Sequence, residues 1–124
     1  MNLITQLDSR YDRLVNEFVK FLCKELSILP RTIAIVGYNL EDNYGICFDE
    51  NDGEFTILVK EKDRNIGEVF TTIAHEMIHV KQYMTQDLGR LLDEQKDLSY
   101  EERWWEREAF ENAVPLVEKF SKNL

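Results

Sequence analysis

The residues best suited to chemistry stand together at His75-Glu76-Met77-Ile78-His79. On a helix, positions four apart are rotated by about 400°, so the two imidazoles point the same way one turn apart. Rings so placed reach one metal ion at the zinc–nitrogen distance of about 2.0–2.1 Å. Glu76 is turned about 100° from His75, which sets its carboxylate over the metal without making it a ligand. From there a general base takes a proton from zinc-bound water and passes it to a leaving amine. The competing reading is a chance match on a surface helix. Against it, the chain has only two histidines and both fall in this motif. In addition, Phe70, Ile73, Ala74, Met77, Ile78, Val80 and Met84 give the helix an apolar back.

Two histidines need a third protein ligand if one position is to stay open for water. Thr85 occupies the place where a third histidine would complete an HExxHxxGxxH form. Cys23 and Cys47 lie upstream of the motif, which leaves a carboxylate on a following helix as the natural donor. In the C-terminal segment Trp105, Ala109, Phe110, Ala113, Leu116, Val117 and Phe120 share one face of a helical wheel. Glu106 falls inside that face, where an unpaired acid is costly unless it is paired or ligates a metal. Glu108 is the alternative, because Asn112, four residues on, is placed to hold a histidine ring. Glu102 falls on the Glu106 stripe, suited to orienting a ring or to starting the helix. Glu101 and Glu111 read as solvated charges.

Around these residues the pattern predicts an α+β domain. Leu7, Tyr11, Leu14, Val15, Phe18, Phe21, Leu22 and Leu26 recur at three- and four-residue steps, predicting a helix from about Thr5 to Ser27 that Pro30 closes. Thr32-Ile33-Ala34-Ile35-Val36 is short and β-branched. Tyr44–Phe48 and Glu54–Val59 flank the turn signal Asn51-Asp52-Gly53 and predict a hairpin. Three strands, antiparallel or mixed, follow. A second helix is expected from about Ile66 to Thr85, capped by Asn65 or Asp63. After a polar stretch from Asp87 to Leu98, which suits a surface loop or a flap over the site, Ser99 and Glu102 have capping-box spacing. A third helix should run from there to about Phe120, with a kink or break near Glu111 imposed by Pro115.

The bulk composition narrows the partners. One domain spanning residues 1–124 is the size expectation. The net charge of −9 disfavours nucleic acid and anionic membranes, which need a basic face. The first residues lack a basic n-region and reach Asp8 before an apolar run develops, and no apolar stretch approaches the roughly 20 residues of a membrane span. Two cysteines without CxxC spacing read as reduced core residues, so a cytoplasmic protein is expected.

The HExxH helix followed by Trp105-Glu106-Arg107-Glu108-Ala109 on a second helix resembles the gluzincin clan of zinc metallopeptidases, in its minimal phage or prokaryotic form. The resemblance covers most of residues 32–118, and only HExxH is specific within it. It implies a zincin-like fold in which zinc lies between the two downstream helices, and a sheet edge that binds peptide antiparallel. It also implies peptide-bond hydrolysis, with zinc on His75, His79 and Glu106 and Glu76 as catalytic base. The sequence departs from many gluzincins in having Phe110, not Asp or Asn, four residues after Glu106. No histidine is spare for the oxyanion, which leaves Tyr83, one turn beyond His79, as the nearest candidate. Trp104-Trp105 reads as core plus lid, and the strand Phe55–Val59 as a substrate-binding edge if it lies at one. The readings that compete with a peptidase are a catalytically weak or inactive zinc-binding scaffold serving as a binding or regulatory protein, and a zinc hydrolase acting on another bond.

Overall fold

The structure, a computed structural model, describes residues 1–8 and 10–124. It is an α+β arrangement of four helices and a four-stranded mixed sheet. In chain order the elements are β1 (Asn2–Gln6), α1 (Asp12–Glu25), β2 (Thr32–Gly37), β3 (Gly45–Asp49), β4 (Glu54–Val59), α2 (Ile66–Thr85), α3 (Leu88–Glu94), a 3₁₀ turn (Tyr100–Glu102) and α4 (Trp104–Lys122).

The sheet order is β1-β2-β4-β3. β1 and β4 both run parallel to β2, and β3 is antiparallel to β4. A parallel pair requires a crossover connection, and α1 supplies it between β1 and β2. The hairpin β3–β4 turns at Asn51, Asp52 and Gly53, all at positive φ, the conformation that Asn, Asp and Gly tolerate best. In β2 and β4 the inward positions Ile33, Ile35, Phe55, Ile57 and Val59 are buried against Val15, Phe18, Val19 and Leu22 of α1 and Ile73, Met77 and Val80 of α2. The stacked rings of Phe18 and Phe70, 4.6 Å apart, and Phe120 at 4.9 Å from Phe18 join α1, α2 and α4.

Four differences from the sequence expectations have identifiable causes. The sheet has four strands, because residues 2–6 pair with β2 and do not open a helix. Helix α1 accordingly begins at Asp12, while Leu7 and Tyr11 still pack against the core from the preceding turn and so extend the helical spacing beyond the helix. The polar stretch after α2 contains a helix, α3, anchored by the buried Leu88. Finally, α4 runs unbroken through Pro115. The missing N–H deprives only the Glu111 carbonyl, and both residues lie on the exposed side, where water can serve that acceptor.

Helix α2 carries the HExxH residues and is firmly built. Asn65 caps it: its side chain accepts from the Glu68 N–H, and the Glu68 carboxylate accepts from the Asn65 N–H. Both flanks of α2 are covered, by α4 on one side and by β3 and β4 on the other. No helix among the described residues is long and apolar enough to cross a membrane.

Candidate functional site

His75 and His79 project from one face of α2 with ring centroids 4.9 Å apart, and Glu106 meets them from the first turn of α4. His79 Nε2 lies 2.6 Å from Glu106 Oε1 and His75 Nε2 lies 3.7 Å from Glu106 Oε2. One ligand atom from each of the three residues falls within 4.8 Å of the others, so the set could hold a metal ion. Two imidazole nitrogens and one carboxylate oxygen are chemically the donor set of a divalent transition metal.

The electrostatics follow from this convergence. Burial pushes the Glu106 carboxyl pKa up, but hydrogen bonding to His75 and His79 outweighs it and holds the group well below the usual carboxylate range. For His79 burial works against the charged ring, and the Glu106 carboxylate overcomes it, so its pKa is raised. Glu76 is buried at the base of the site, and desolvation raises its pKa despite the two neighbouring imidazoles.

A cleft of about 680 Å³ opens over these residues. One wall is Gly45, Ile46 and Cys47 of β3, and the other includes Leu88, Leu92, Trp105 and Phe110. β3 is the terminal strand of the sheet, whereas β4 lies between β2 and β3. The strand Phe55–Val59 is therefore not an edge; its inward side chains are core, and the edge that borders the site belongs to β3.

Comparison with protein-family models, with curated proteins and with solved structures finds no match. What the site can do is therefore read from its own geometry.

Glu108 does not approach the histidines. It accepts a hydrogen bond from Gln82 Nε2 at 3.1 Å, and Asn112 donates to the Glu108 backbone carbonyl and holds no ring. Glu102 is exposed and takes part in the Ser99 capping box, because the 3₁₀ turn ends at Arg103 and α4 restarts in a different phase. Glu101 and Glu111 are exposed. Phe110, placed by the wheel on the buried stripe, is 74% exposed; it stands one turn beyond Glu106 and shares its outlook on the cleft. Trp105 is buried, and Trp104 packs edge-on against it at 5.8 Å. Both cysteines are free, Cys23 in the core and Cys47 half-buried on the cleft wall.

Tyr83 lines the cleft with its ring 5.9 Å from Phe55. Burial pushes its pKa up to about 12, and the acidic neighbours Cys47, Asp49 and Glu76 add to the rise. Two neighbours of the site had no place in the sequence reading. Tyr100 faces the Glu106 carboxylate, and burial together with that charge pushes its pKa up to about 12. Gln82 is fully buried and holds His79 Nδ1 at 2.7 Å. The available signal for Gln82 was a lone amide three residues after His79, on the side of α2 that a partner helix covers.

Proposed function

We propose that the chain is a zinc-dependent peptidase of minimal gluzincin type, with His75, His79 and Glu106 as the metal ligands and Glu76 as the general base. The observation that carries this reading is the meeting of the two Nε2 atoms and the Glu106 carboxylate beside a buried Glu76, at the foot of a cleft. Three protein ligands with an open fourth position are the pattern of catalytic zinc, whereas structural zinc is closed by four. When bound, zinc supplies Lewis acidity, polarising a carbonyl and making water more acidic.

The chain's own residues supply the rest. Glu76 accepts the proton of the attacking water and returns it to the departing amine; burial raises its pKa toward the range in which one carboxyl can do both. The outer edge of β3 offers unpaired backbone donors and acceptors that can hold an extended peptide across the site. Tyr83 and Tyr100, whose pKa values lie even further above neutrality than usual, are the hydroxyl donors available to a developing oxyanion.

A Glu76→Gln variant tests the assignment. Wild type is expected to cleave members of a broad peptide library, and the variant to bind zinc normally while losing about 10²–10⁴ in turnover. If both proteins bind zinc and are equally inert, the peptidase reading fails and a zinc-binding scaffold takes its place.

A further inference from the structure

Gln82 is fully buried between α2 and α4. A buried amide is stable only when its two donors and its carbonyl are matched. Its Nε2 lies 2.9 Å from the Trp105 carbonyl and 3.1 Å from Glu108 Oε1. A backbone carbonyl and an ionised carboxylate only accept hydrogen bonds, so they admit the amide nitrogen and reject the amide oxygen. A flipped Gln82 would set three acceptors against one another in a low-dielectric interior.

The orientation of the amide fixes that of the ring. Gln82 Oε1 faces His79 Nδ1 at 2.7 Å, and an amide oxygen only accepts. Nδ1 must therefore keep its hydrogen, so Nε2, which in the metal-free protein donates to Glu106 Oε1 at 2.6 Å, is the nitrogen free to give up its proton to a metal. Nε2 is the atom that points at Glu106. The other end of the amide grips the backbone at Trp105, the residue immediately before Glu106. One side chain thus ties the ring of one ligand to the segment that carries another.

We propose that Gln82 is a positioning residue of the metal centre: it selects Nε2 of His79 as the ligand atom and locks the ligand-bearing turns of α2 and α4 together. This rests on the metal-site reading above. Glu108 acts through it, orienting the amide and touching no metal.

The test compares zinc affinity, by competition with a chromogenic chelator, in wild type, Gln82→Met, Gln82→Glu and Glu108→Gln. Gln82→Met keeps the length and removes every hydrogen bond, and zinc binding should weaken about 10–100-fold. Gln82→Glu keeps an acceptor for His79 but turns a carboxylate toward the Trp105 carbonyl and Glu108, and it should also weaken binding. Glu108→Gln should stay within a few-fold of wild type. In zinc-loaded wild type, ¹⁵N-resolved NMR should show a slowly exchanging proton on His79 Nδ1 and the metal on Nε2, a readout that needs no variant to fold. Zinc on Nδ1 of His79, or a Gln82→Met protein that binds zinc as tightly as wild type, overturns the proposal while leaving the metal site standing. Failure of wild type itself to bind zinc overturns both.

Discussion

Gly45 leaves no room for a side chain beside Glu76. A Cβ built on Gly45 would lie 3.1 Å from Glu76 Oε2 and 2.5 Å from Thr72 Cγ2. The edge strand therefore passes so close to α2 that its first residue has room for nothing beyond hydrogen, and the position of the Glu76 carboxylate depends on that space. Gly45→Ala should force β3 or Glu76 to move. The expected cost is about 1–3 kcal/mol of stability, as for other overpacked sites, measured by denaturant unfolding. Peptide turnover should fall by at least tenfold, and zinc affinity should hold, because the atoms nearest a Cβ at Gly45 belong to Thr72 and Glu76 and not to a ligand. Unchanged turnover in a folded Gly45→Ala protein would show that the strand does not position the base.

The choice between Glu106 and Glu108 has a direct test. Glu106 lies at 2.6 Å and 3.7 Å from the two Nε2 atoms, whereas Glu108 contacts Gln82. Glu106→Gln should therefore lower zinc affinity by more than the roughly 10–100-fold typical of an outer-shell change. Isothermal titration of both variants would decide: equal losses, or a larger loss in Glu108→Gln, would reverse the assignment.

Phe110 offers a substrate-side test. It is 74% exposed at the lip of the cleft, so Phe110→Ala should change folding stability by no more than about 0.5 kcal/mol, as for surface substitutions generally. If the cleft binds apolar side chains beside Leu88 and Leu92, the variant should raise KM for such peptides several-fold and leave kcat little altered. Loss of stability without a change in KM would make Phe110 a structural residue after all.

The parts of this molecule legible in the sequence are those determined by local geometry. His75, Glu76 and His79 lie within two turns of one helix, so their relation follows from helical rotation alone. Asn65 was one of two caps the sequence offered for that helix, and it is the one used; Asn51-Asp52-Gly53 announced the hairpin. Glu106 emerged because an acid on an apolar stripe needs a partner. What escaped depends on long-range pairing or on phase. β1 is five residues long and is held by β2, some 30 positions away, and nothing within it alternates strongly enough to signal a strand. Glu102 was misplaced because one wheel was carried across Arg103, where the 3₁₀ turn gives way to α4. Phe110 lies within α4 itself, where the helix borders the open cleft and the ring is left uncovered. Gln82 escaped for a different reason: its role exists only once Trp105 and Glu108 are packed against it.

The pH dependence of stability follows from His79 and Glu106. In the metal-free protein the pKa of His79 is raised above its ordinary 6.5; burial opposes the charge, and the Glu106 hydrogen bond prevails. A histidine raised in the folded state contributes stability in full below the unfolded value and loses it as pH rises through the folded one. Glu106 is shifted the other way, so its contribution is present above the ordinary value of 4.5 and is lost as pH falls through the lowered one. As pH rises from the ordinary histidine value of 6.5 through the raised one, the histidine contribution is lost while that of Glu106 stays complete. The raised pKa of the buried Glu76 acts in the same direction, so the Tm of the metal-free protein should decline across this interval. Zinc affinity should rise over the same interval, because the ligand nitrogens must be free of protons to bind. The increase in Tm on adding zinc should therefore grow with pH, and Glu106→Gln should flatten the metal-free decline. Differential scanning calorimetry with and without a chelator measures both. A metal-free Tm that stays level across this interval would mean that the His79–Glu106 pair contributes nothing to the fold.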